Sequence, residues 1–235
     1  MSAPAPAPAV ALERVLDRGW ERVPHAFDPE PVDVALRALD LVIAGAAGML
    51  LSPVAGAVAL AIRVTDGRPV LYRGARVGRG GRLFTMVKFR TLRRDAAHRL
   101  DPFLGPELTR LTEQEMTGVG RVVRATHLDE LPQVLNVLRG DMSIVGPRPI
   151  RPTFFVELTE EIPAYWQRLA VRPGMTGFAQ LRLTREMTWA EKLHHDFEFI
   201  ADRSVGLYLR VVAATGVRVL ARLALAAAGR AREVT

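Results

Sequence analysis

Two adjacent carboxylates, Asp129 and Glu130, form the densest polar cluster in the chain together with their neighbours. Pro132 is tolerated only in a first helical turn, where amides have no partners, so a helix should begin near Asp129. The helix dipole favours anions at this end. Because neighbouring helical side chains point about 100° apart, one carboxylate could attack an electrophile while the other holds a metal ion. The alternative is a helix-start charge pair without chemistry.

A single arginine, Arg148, stands between Pro147 and Pro149. The two prolines restrict the backbone on either side of it. A guanidinium held in this way can bind a phosphate or pyrophosphate through two parallel hydrogen bonds. The alternative is a rigid surface turn.

Two further elements carry cations that suit phosphate groups. Lys88 and Arg90 are predicted to share one face of a strand, where they could hold a diphosphate. A glycine-containing loop offers the Arg172 cation and the Thr176 hydroxyl, and its backbone amides could cradle a phosphate. The alternatives are a solvated edge strand and an ordinary loop.

The acidic pair predicts a magnesium site. Carboxylates beside phosphate-binding cations favour a hard divalent ion, and Mg²⁺ is the usual one with phosphates. The candidate ligands are Asp129 and Glu130. The chain has no cysteine, which excludes disulfides and thiolate metal sites. Nor does it contain a Walker A, Gly-x-Ser-x-Gly or paired zinc signature.

Positive charge is concentrated in one segment. The 235-residue chain has a net charge of +7, yet residues 63–99 hold eleven basic and two acidic residues, a net of +9. A basic balance predicts an anionic partner, which could be nucleic acid, anionic lipid or a phosphate-bearing substrate. An aromatic content of 6% and the lack of a recognised binding motif make a nucleic-acid-binding protein the weaker alternative.

The residues from Leu41 to Ile62 form an uncharged run of 22 positions. As a helix the run would be about 33 Å long, enough to cross a hydrocarbon core of about 30 Å. Pro53 in its middle predicts a kink, and arginines on both flanks favour cytoplasmic placement of both ends. The sequence therefore predicts a re-entrant membrane helix over 31–63. A buried helical hairpin of a soluble protein is the alternative.

The remaining patterns predict the elements that position these residues. Residues 1–30 are predicted to be a disordered Ala/Pro arm followed by a short helix. A β-hairpin is expected within 69–90, with strands at 69–72 and 83–89. Helices are expected over 128–138, over 153–169 with an interruption near Pro163, and from the capping box at Thr188 to about Ala201.

The last segment, 204–235, is apolar with arginines along one side, which favours an amphipathic helix in a membrane interface. An ordinary helix packed on the domain is the alternative. The predicted fold class is α+β, with a mainly helical core over 64–203 and a small β-hairpin or sheet.

Taken together, the motifs resemble the bacterial sugar transferases, also called monotopic phosphoglycosyl transferases. The resemblance covers about residues 36–220 and includes the Ser-Pro in the apolar run and the Lys-Phe-Arg-Thr element. Its most specific part extends from Asp129 to Pro149, with the Asp-Glu pair, Arg-Gly-Asp-Met-Ser and Gly-Pro-Arg-Pro. The Arg-Pro-Gly-Met-Thr-Gly loop follows.

The resemblance implies an enzyme of the bacterial cytoplasmic membrane with its catalytic domain on the cytoplasmic face. Members transfer a sugar-1-phosphate from a UDP-sugar to undecaprenyl phosphate, releasing UMP, and so initiate glycan assembly. Matched to this chain, Asp129 is the nucleophile that forms a phospho-Asp intermediate. Glu130 would bind Mg²⁺ or help activate the acceptor, and Arg148 would hold donor phosphates. Lys88 and Arg90 match the basic element near the family's site.

Some residues depart from the family pattern. His127 stands where a small hydroxyl residue is more frequent, and Gly206 and Leu207 replace an Asp commonly found near the C-terminal helix. Asp196 fits the family's acidic residue in the preceding segment. A homodimer that shares the C-terminal helix is one arrangement that the sequence allows, and an inactive scaffold of the same fold is disfavoured by the intact Asp-Glu pair.

Overall fold

The computed structural model describes residues 30–100, 105–182 and 187–227 of the chain. This part is mainly helical with two small two-stranded sheets, which confirms the predicted α+β class. The arm and short helix predicted over 1–30 lie almost entirely outside the described residues.

The described chain divides into two compact units. We call residues 41–73, 86–139 and 213–227 the carboxylate unit, because it contains Asp129 and Glu130. We call residues 30–40, 74–85 and 140–212 the arginine-loop unit, because it contains Arg148.

Helix α1, Pro31–Thr65, is helical throughout and includes Pro53. The hydroxyl of Ser52, just before the proline, donates a hydrogen bond of 2.8 Å to the Met49 carbonyl. Large apolar side chains are exposed along the helix, with Met49 at 81% and Leu50 at 77%. Among the described helices α1 is the one long and apolar enough to cross a membrane. The helix predicted over 31–63 is therefore present, and its re-entrant path stays a prediction.

A buried carboxylate, Asp40, anchors the first part of α1 within the arginine-loop unit. Its Oδ1 accepts hydrogen bonds from the Ser143 hydroxyl at 2.8 Å, the Ile144 amide at 2.9 Å and the Tyr208 hydroxyl at 2.8 Å. Burial and the nearby Asp40 charge raise the pKa of Tyr208, so this hydroxyl stays protonated as a donor. A buried charge with three donors is satisfied, which makes Asp40 a structural group.

The predicted β-hairpin is present. Strand β1, Leu71–Val77, is followed by a 3₁₀ turn, Arg79–Gly81, and strand β2, Leu83–Phe89. The second strand has the predicted bounds, whereas the first was placed too early, at 69–72. The residues from Arg73 to Arg76 include two arginines and a glycine, which have low strand preference alone, and pairing with β2 extends the strand through them.

The carboxylate unit also contains several short helices. They are α2, Ala96–Arg99; α3, Gly105–Gln114; α4, Gly118–Ala125; a 3₁₀ helix, Leu128–Gln133; and α5, Val134–Arg139. The single helix predicted over 128–138 is thus a 3₁₀ helix continued by an α-helix. It ends before Gly140, as predicted, and this residue has a φ of 93°, the left-handed conformation that glycine adopts at helix ends.

The arginine-loop unit contains a parallel pair of strands that the sequence did not reveal. Strand β3, Ser143–Val145, pairs with β4, Gly174–Thr176. The helices are α6, Pro152–Glu161; a 3₁₀ helix, Pro163–Ala170; α7, Phe178–Arg182; α8, Trp189–Ala201; and the first part of α9, Val205–Ala227, which continues into the carboxylate unit from residue 213. The break near Pro163 and the capping box at Thr188 are confirmed. A buried apolar cluster around Phe155 and Tyr165 forms the core of this unit.

Candidate active site

The two carboxylates project from the 3₁₀ helix Leu128–Gln133. Such a helix has three residues per turn, so Leu128 and Leu131 share one face and the carboxylates occupy the other two. Both leucines pack on an apolar cluster that includes Ile62 of α1. The turn is thereby fixed through its leucine face, and Asp129 and Glu130 point about 120° apart.

The two carboxylates have different surroundings. Asp129 is buried, with 8% of its surface exposed, whereas the Glu130 side chain is 18% exposed and forms an ion pair. Their division into separate roles, argued above from helical geometry, is therefore compatible with the structure, although the roles themselves stay predictions.

Lys88 lies against Glu130. The Nζ atom of Lys88, on strand β2, donates to Glu130 Oε1 at 2.7 Å, and the lysine side chain is 16% exposed. The sequence thus identified two residues that the fold brings together from positions 42 apart. The ammonium compensates one negative charge of the acidic pair.

Asn136, on α5, positions this lysine. Its side-chain Oδ1 accepts a hydrogen bond of 3.0 Å from the amide of Val87, the residue next to Lys88 on β2. Asn136 is fully buried. The contact ties the strand that carries the lysine to the helix that continues the carboxylate turn. A polar residue within the apolar sequence Val-Leu-Asn-Val-Leu was the signal for such a role, and sequence reasoning assigned it none.

Arg90 has a different environment from Lys88. Its Nη2 donates to the carbonyls of Asp66 and Gly67, at 2.6 and 3.1 Å, just after the end of α1. Only 8% of Arg90 is exposed. The arginine therefore binds the segment that follows α1, and the structure brings Lys88 rather than Arg90 into contact with Glu130.

His127 precedes the carboxylate turn in the left-handed conformation, with a φ of 58°. Its ring Nε2 contacts the Nη1 of Arg222 on α9. The C-terminal helix thus touches the residue at which the chain enters the turn. His127 departs from the family pattern, and in the structure this residue contacts Arg222.

The Gly-Pro-Arg-Pro loop is held by tight backbone packing in the arginine-loop unit. The amide of Gly146 donates to the Thr176 carbonyl, and that of Gly174 to the Pro147 carbonyl, both at 2.8 Å. A side chain on Gly174 would collide with the backbone of Gly146, so this approach requires glycine. Pro147 is buried, Pro149 is half-buried and Arg148 is exposed, so the loop presents its arginine on a fixed backbone.

A buried ion pair supports the same loop. The guanidinium of Arg168 donates to Asp196 Oδ2 from Nε at 3.0 Å and from Nη2 at 2.7 Å, and Nη2 also donates to the Arg148 carbonyl at 3.0 Å. Burial raises the pKa of the Asp196 carboxyl, and the Arg168 guanidinium opposes that shift. Arg168 was missed by sequence reasoning, because one arginine among many carries little signal.

The other two predicted phosphate ligands lie in the same unit. The Nε of Arg172 donates to the Gly140 carbonyl at 3.0 Å. Burial, together with the charges of Arg37 and Arg79, lowers the pKa of the Arg172 guanidinium. An anion near Arg172 would relieve that repulsion, which suits a phosphate ligand. Thr176 is buried.

The donor set around Asp129 and Glu130 fits Mg²⁺. Among the described residues no group of three or more His, Cys, Asp or Glu side chains could hold a metal ion. Mg²⁺ commonly binds through one or two carboxylates, with water and substrate phosphates completing its coordination. One of these carboxylates, or both, would meet that requirement, whereas an ion held entirely by protein ligands would need more.

The chain matches the family described as bacterial sugar transferase over residues 32–222. It therefore belongs to this family, as the motifs in the sequence predicted.

Relatives of this chain carry more specific names. A UDP-glucose:undecaprenyl-phosphate glucose-1-phosphate transferase of Caulobacter vibrioides is 38% identical over 193 residues, 78% of this chain and 69% of the relative. An exopolysaccharide production protein of Rhizobium leguminosarum bv. phaseoli is 36% identical, over 80% of this chain and 96% of the relative. A UDP-N-acetylgalactosamine-undecaprenyl-phosphate N-acetylgalactosaminephosphotransferase of Aeromonas hydrophila is 36% identical over 78% of this chain, which spans only 43% of that relative.

Proposed function

We propose that this protein transfers a sugar-1-phosphate from a UDP-sugar to undecaprenyl phosphate and releases UMP, as an initiating step of exopolysaccharide, capsule, O-antigen or glycoconjugate assembly. The observation that carries the proposal is the buried Asp129 beside the Lys88–Glu130 pair, in a chain of the bacterial sugar transferase family. The named relatives of Caulobacter and Aeromonas support both substrate classes.

The first step is attack by an Asp129 carboxylate oxygen on the phosphorus that carries the sugar. The bond from this phosphorus to the bridging oxygen breaks, and UMP leaves with that oxygen. The product is a phospho-Asp adduct that carries the sugar. A covalent adduct divides one difficult transfer into two steps, so the nucleotide can leave before the lipid enters.

In the second step a phosphate oxygen of undecaprenyl phosphate attacks the same phosphorus. The bond to Asp129 breaks, the carboxylate is regenerated, and an undecaprenyl diphosphate sugar forms. Nucleophile and leaving group are both anionic, so the reaction depends on cations placed around the phosphates. Lys88 supplies such charge beside the carboxylates, and Arg148, Arg172 and Thr176 are the phosphate ligands that we propose from their sequence motifs.

Mg²⁺ is the cofactor we propose, with Asp129 and Glu130 as its protein ligands. When bound, the ion would neutralise phosphate charge that develops during transfer. The apolar face of α1 and the amphipathic α9 would hold the enzyme on the cytoplasmic membrane, with the site on the cytoplasmic face. There a lipid phosphate can reach the carboxylate turn without leaving the bilayer.

The test uses purified protein with undecaprenyl phosphate, Mg²⁺ and a panel of UDP-sugars, and it measures UMP release. At least one donor should support turnover, and Asp129→Asn should lower the rate at least about 1,000-fold because the nucleophile is lost. Asp202→Asn is the matched control, since Asp202 is exposed at the end of α8. Mass spectrometry of protein quenched after mixing with donor alone should find the sugar phosphate on Asp129. An Asp129→Asn enzyme as fast as the parent would refute the nucleophile assignment.

A further inference from the structure

A cavity of about 480 Å³ in the carboxylate unit lies beside the end of α1. Its lining includes four arginines and one aspartate, which together give a net charge of +3: Arg90, Arg93, Arg94, Arg121 and Asp66. We call this cavity the arginine pocket. This excess of positive charge favours a negatively charged ligand.

Arg90 supplies the second and independent indication of a ligand. It is more than nine-tenths buried, and its Nη2 is engaged by the carbonyls that follow α1. Its Nε and Nη1 are also buried, but neither has a hydrogen-bond partner. A buried guanidinium with unused donors is costly, and an anion in the cavity that it lines would satisfy them.

The other arginines of the pocket are available to such an anion. Arg93, Arg94 and Arg121 are exposed, and none of them forms an ion pair with a described residue. The first residue of α4, Gly118, and its N-cap, Thr117, also line the cavity. The positive end of a helix therefore adds to the field of the guanidinium groups.

The pocket is separate from the carboxylate turn. Helix α4 has eight residues, so its two ends are about 12 Å apart. One end lines the pocket, and the other leads through His127 into the turn that carries Asp129. Asp129, Glu130 and Lys88 are not among the residues that line the pocket.

We propose that the arginine pocket is a second phosphate-binding site of this protein. Its ligand is a phosphate group, because arginine pairs with phosphate oxygens through strong charge-assisted hydrogen bonds. That group belongs either to a phospholipid headgroup or to a soluble phosphate compound. The pocket begins at Asp66, directly after the last residue of the apolar helix α1, where a headgroup would lie if α1 is inserted in a bilayer.

The experiment compares two triple variants of the full chain in neutral detergent. The pocket variant is Arg93→Gln, Arg94→Gln and Arg121→Gln. The control is Arg63→Gln, Arg68→Gln and Arg73→Gln, which removes the same charge from exposed positions of the same unit outside the pocket lining. In one arm, phosphorus NMR measures binding of inorganic phosphate. In the other, native mass spectrometry counts phosphatidic acid retained from mixed micelles with phosphatidylcholine.

The pocket variant should bind at least about tenfold more weakly in one arm, the factor expected from one lost charge-assisted hydrogen bond, while the control stays near the parent. Loss confined to the lipid arm assigns a phospholipid, and loss in the soluble arm assigns a soluble phosphate. Equal losses in both triple variants, or no loss in either arm, would overturn the proposal. Because the readout is binding rather than turnover, the result is independent of the proposed reaction.

Discussion

Each unit of this protein contains an ion pair near a candidate functional residue, and the two ion pairs differ in burial. In the carboxylate unit, the Lys88 and Glu130 side chains are 16% and 18% exposed. In the arginine-loop unit, the Arg168 and Asp196 side chains are only 6% and 5% exposed. Both pairs have a shortest N–O distance of 2.7 Å.

The difference in burial indicates that the two ion pairs have different roles, one structural and one in ligand binding. The Arg168–Asp196 pair is closed to solvent and also holds the Arg148 carbonyl, so it fixes backbone. The Lys88–Glu130 pair lies beside Asp129 and retains access to solvent, so a phosphate or metal ion can reach it. We therefore expect loss of the first pair to appear mainly in stability and loss of the second mainly in activity.

The largest effect on stability is expected from Arg168→Met. The change leaves the Asp196 carboxylate buried without its partner, which costs about 3–5 kcal/mol. For a chain of this size that is on the order of 10 °C in Tm. Thermal unfolding in detergent measures it. The double variant Arg168→Met, Asp196→Leu should recover much of the lost Tm. An Arg168→Met variant as stable as the parent would contradict a structural role for the Arg168–Asp196 pair.

The loss of stability in Arg168→Met should also depend on pH. Burial already raises the pKa of Asp196, and removal of the Arg168 charge raises it further. A raised carboxyl pKa means that the folded state binds the proton more tightly than the unfolded chain, so stability increases as the pH falls through that pKa to the pKa of the unfolded chain. Acidification should therefore restore part of the lost Tm, and a deficit that stays constant with pH would contradict the assigned cause.

The next effect is expected from Lys88→Gln, which should change activity more than stability. Loss of a charge-assisted hydrogen bond of about 1.5–3 kcal/mol near the reacting phosphates slows turnover about 10- to 100-fold. The Tm should change by only a few degrees, because a partly exposed pair is worth about 1 kcal/mol. Lys88→Arg should restore part of the rate, as it keeps the charge. If the Tm of Lys88→Gln were as low as that of Arg168→Met, the two ion pairs would not differ in their contribution to stability.

The smallest effect is expected from Thr188→Ala, at the start of the helix that carries Asp196. The Thr188 hydroxyl accepts a hydrogen bond from the Glu191 amide, and its loss costs about 1 kcal/mol. Chemical denaturation should register this change while the rate of UMP release stays at the parent level. A large loss of activity would mean that α8 contributes to the site through more than the Asp196 ion pair.

Much of the site could be predicted from local sequence signals. Pro132 predicted where the helix that carries the carboxylates begins, and Gly140 predicted where it ends. Thr188 with Glu191 predicted the start of α8. Each signal acts within a few residues, through a missing amide, a left-handed φ or a side-chain cap.

What the sequence could not reveal depends on contacts between distant segments. The 3₁₀ geometry of the carboxylate turn depends on where its leucines pack, and the parallel pairing of β3 with β4 joins residues 31 positions apart in the chain. Arg168 is one of 32 basic residues in the chain, and only the fold shows that it holds Asp196 and the Arg148 carbonyl. Arg90 was predicted to share a face with Lys88, and only the structure shows that it binds the carbonyls that follow α1.

Asp40 has a consequence for how deeply the protein can enter a bilayer. The uncharged run of α1 begins at the very next residue, Leu41, and would be drawn toward hydrocarbon. Asp40 cannot follow without losing three hydrogen bonds, to Ser143, Ile144 and Tyr208. If α1 is inserted in a bilayer, Asp40 sets the level at which the helix passes from protein into lipid. Asp40→Leu would remove the acceptor of all three donors, and with it this attachment of α1 to the rest of the arginine-loop unit.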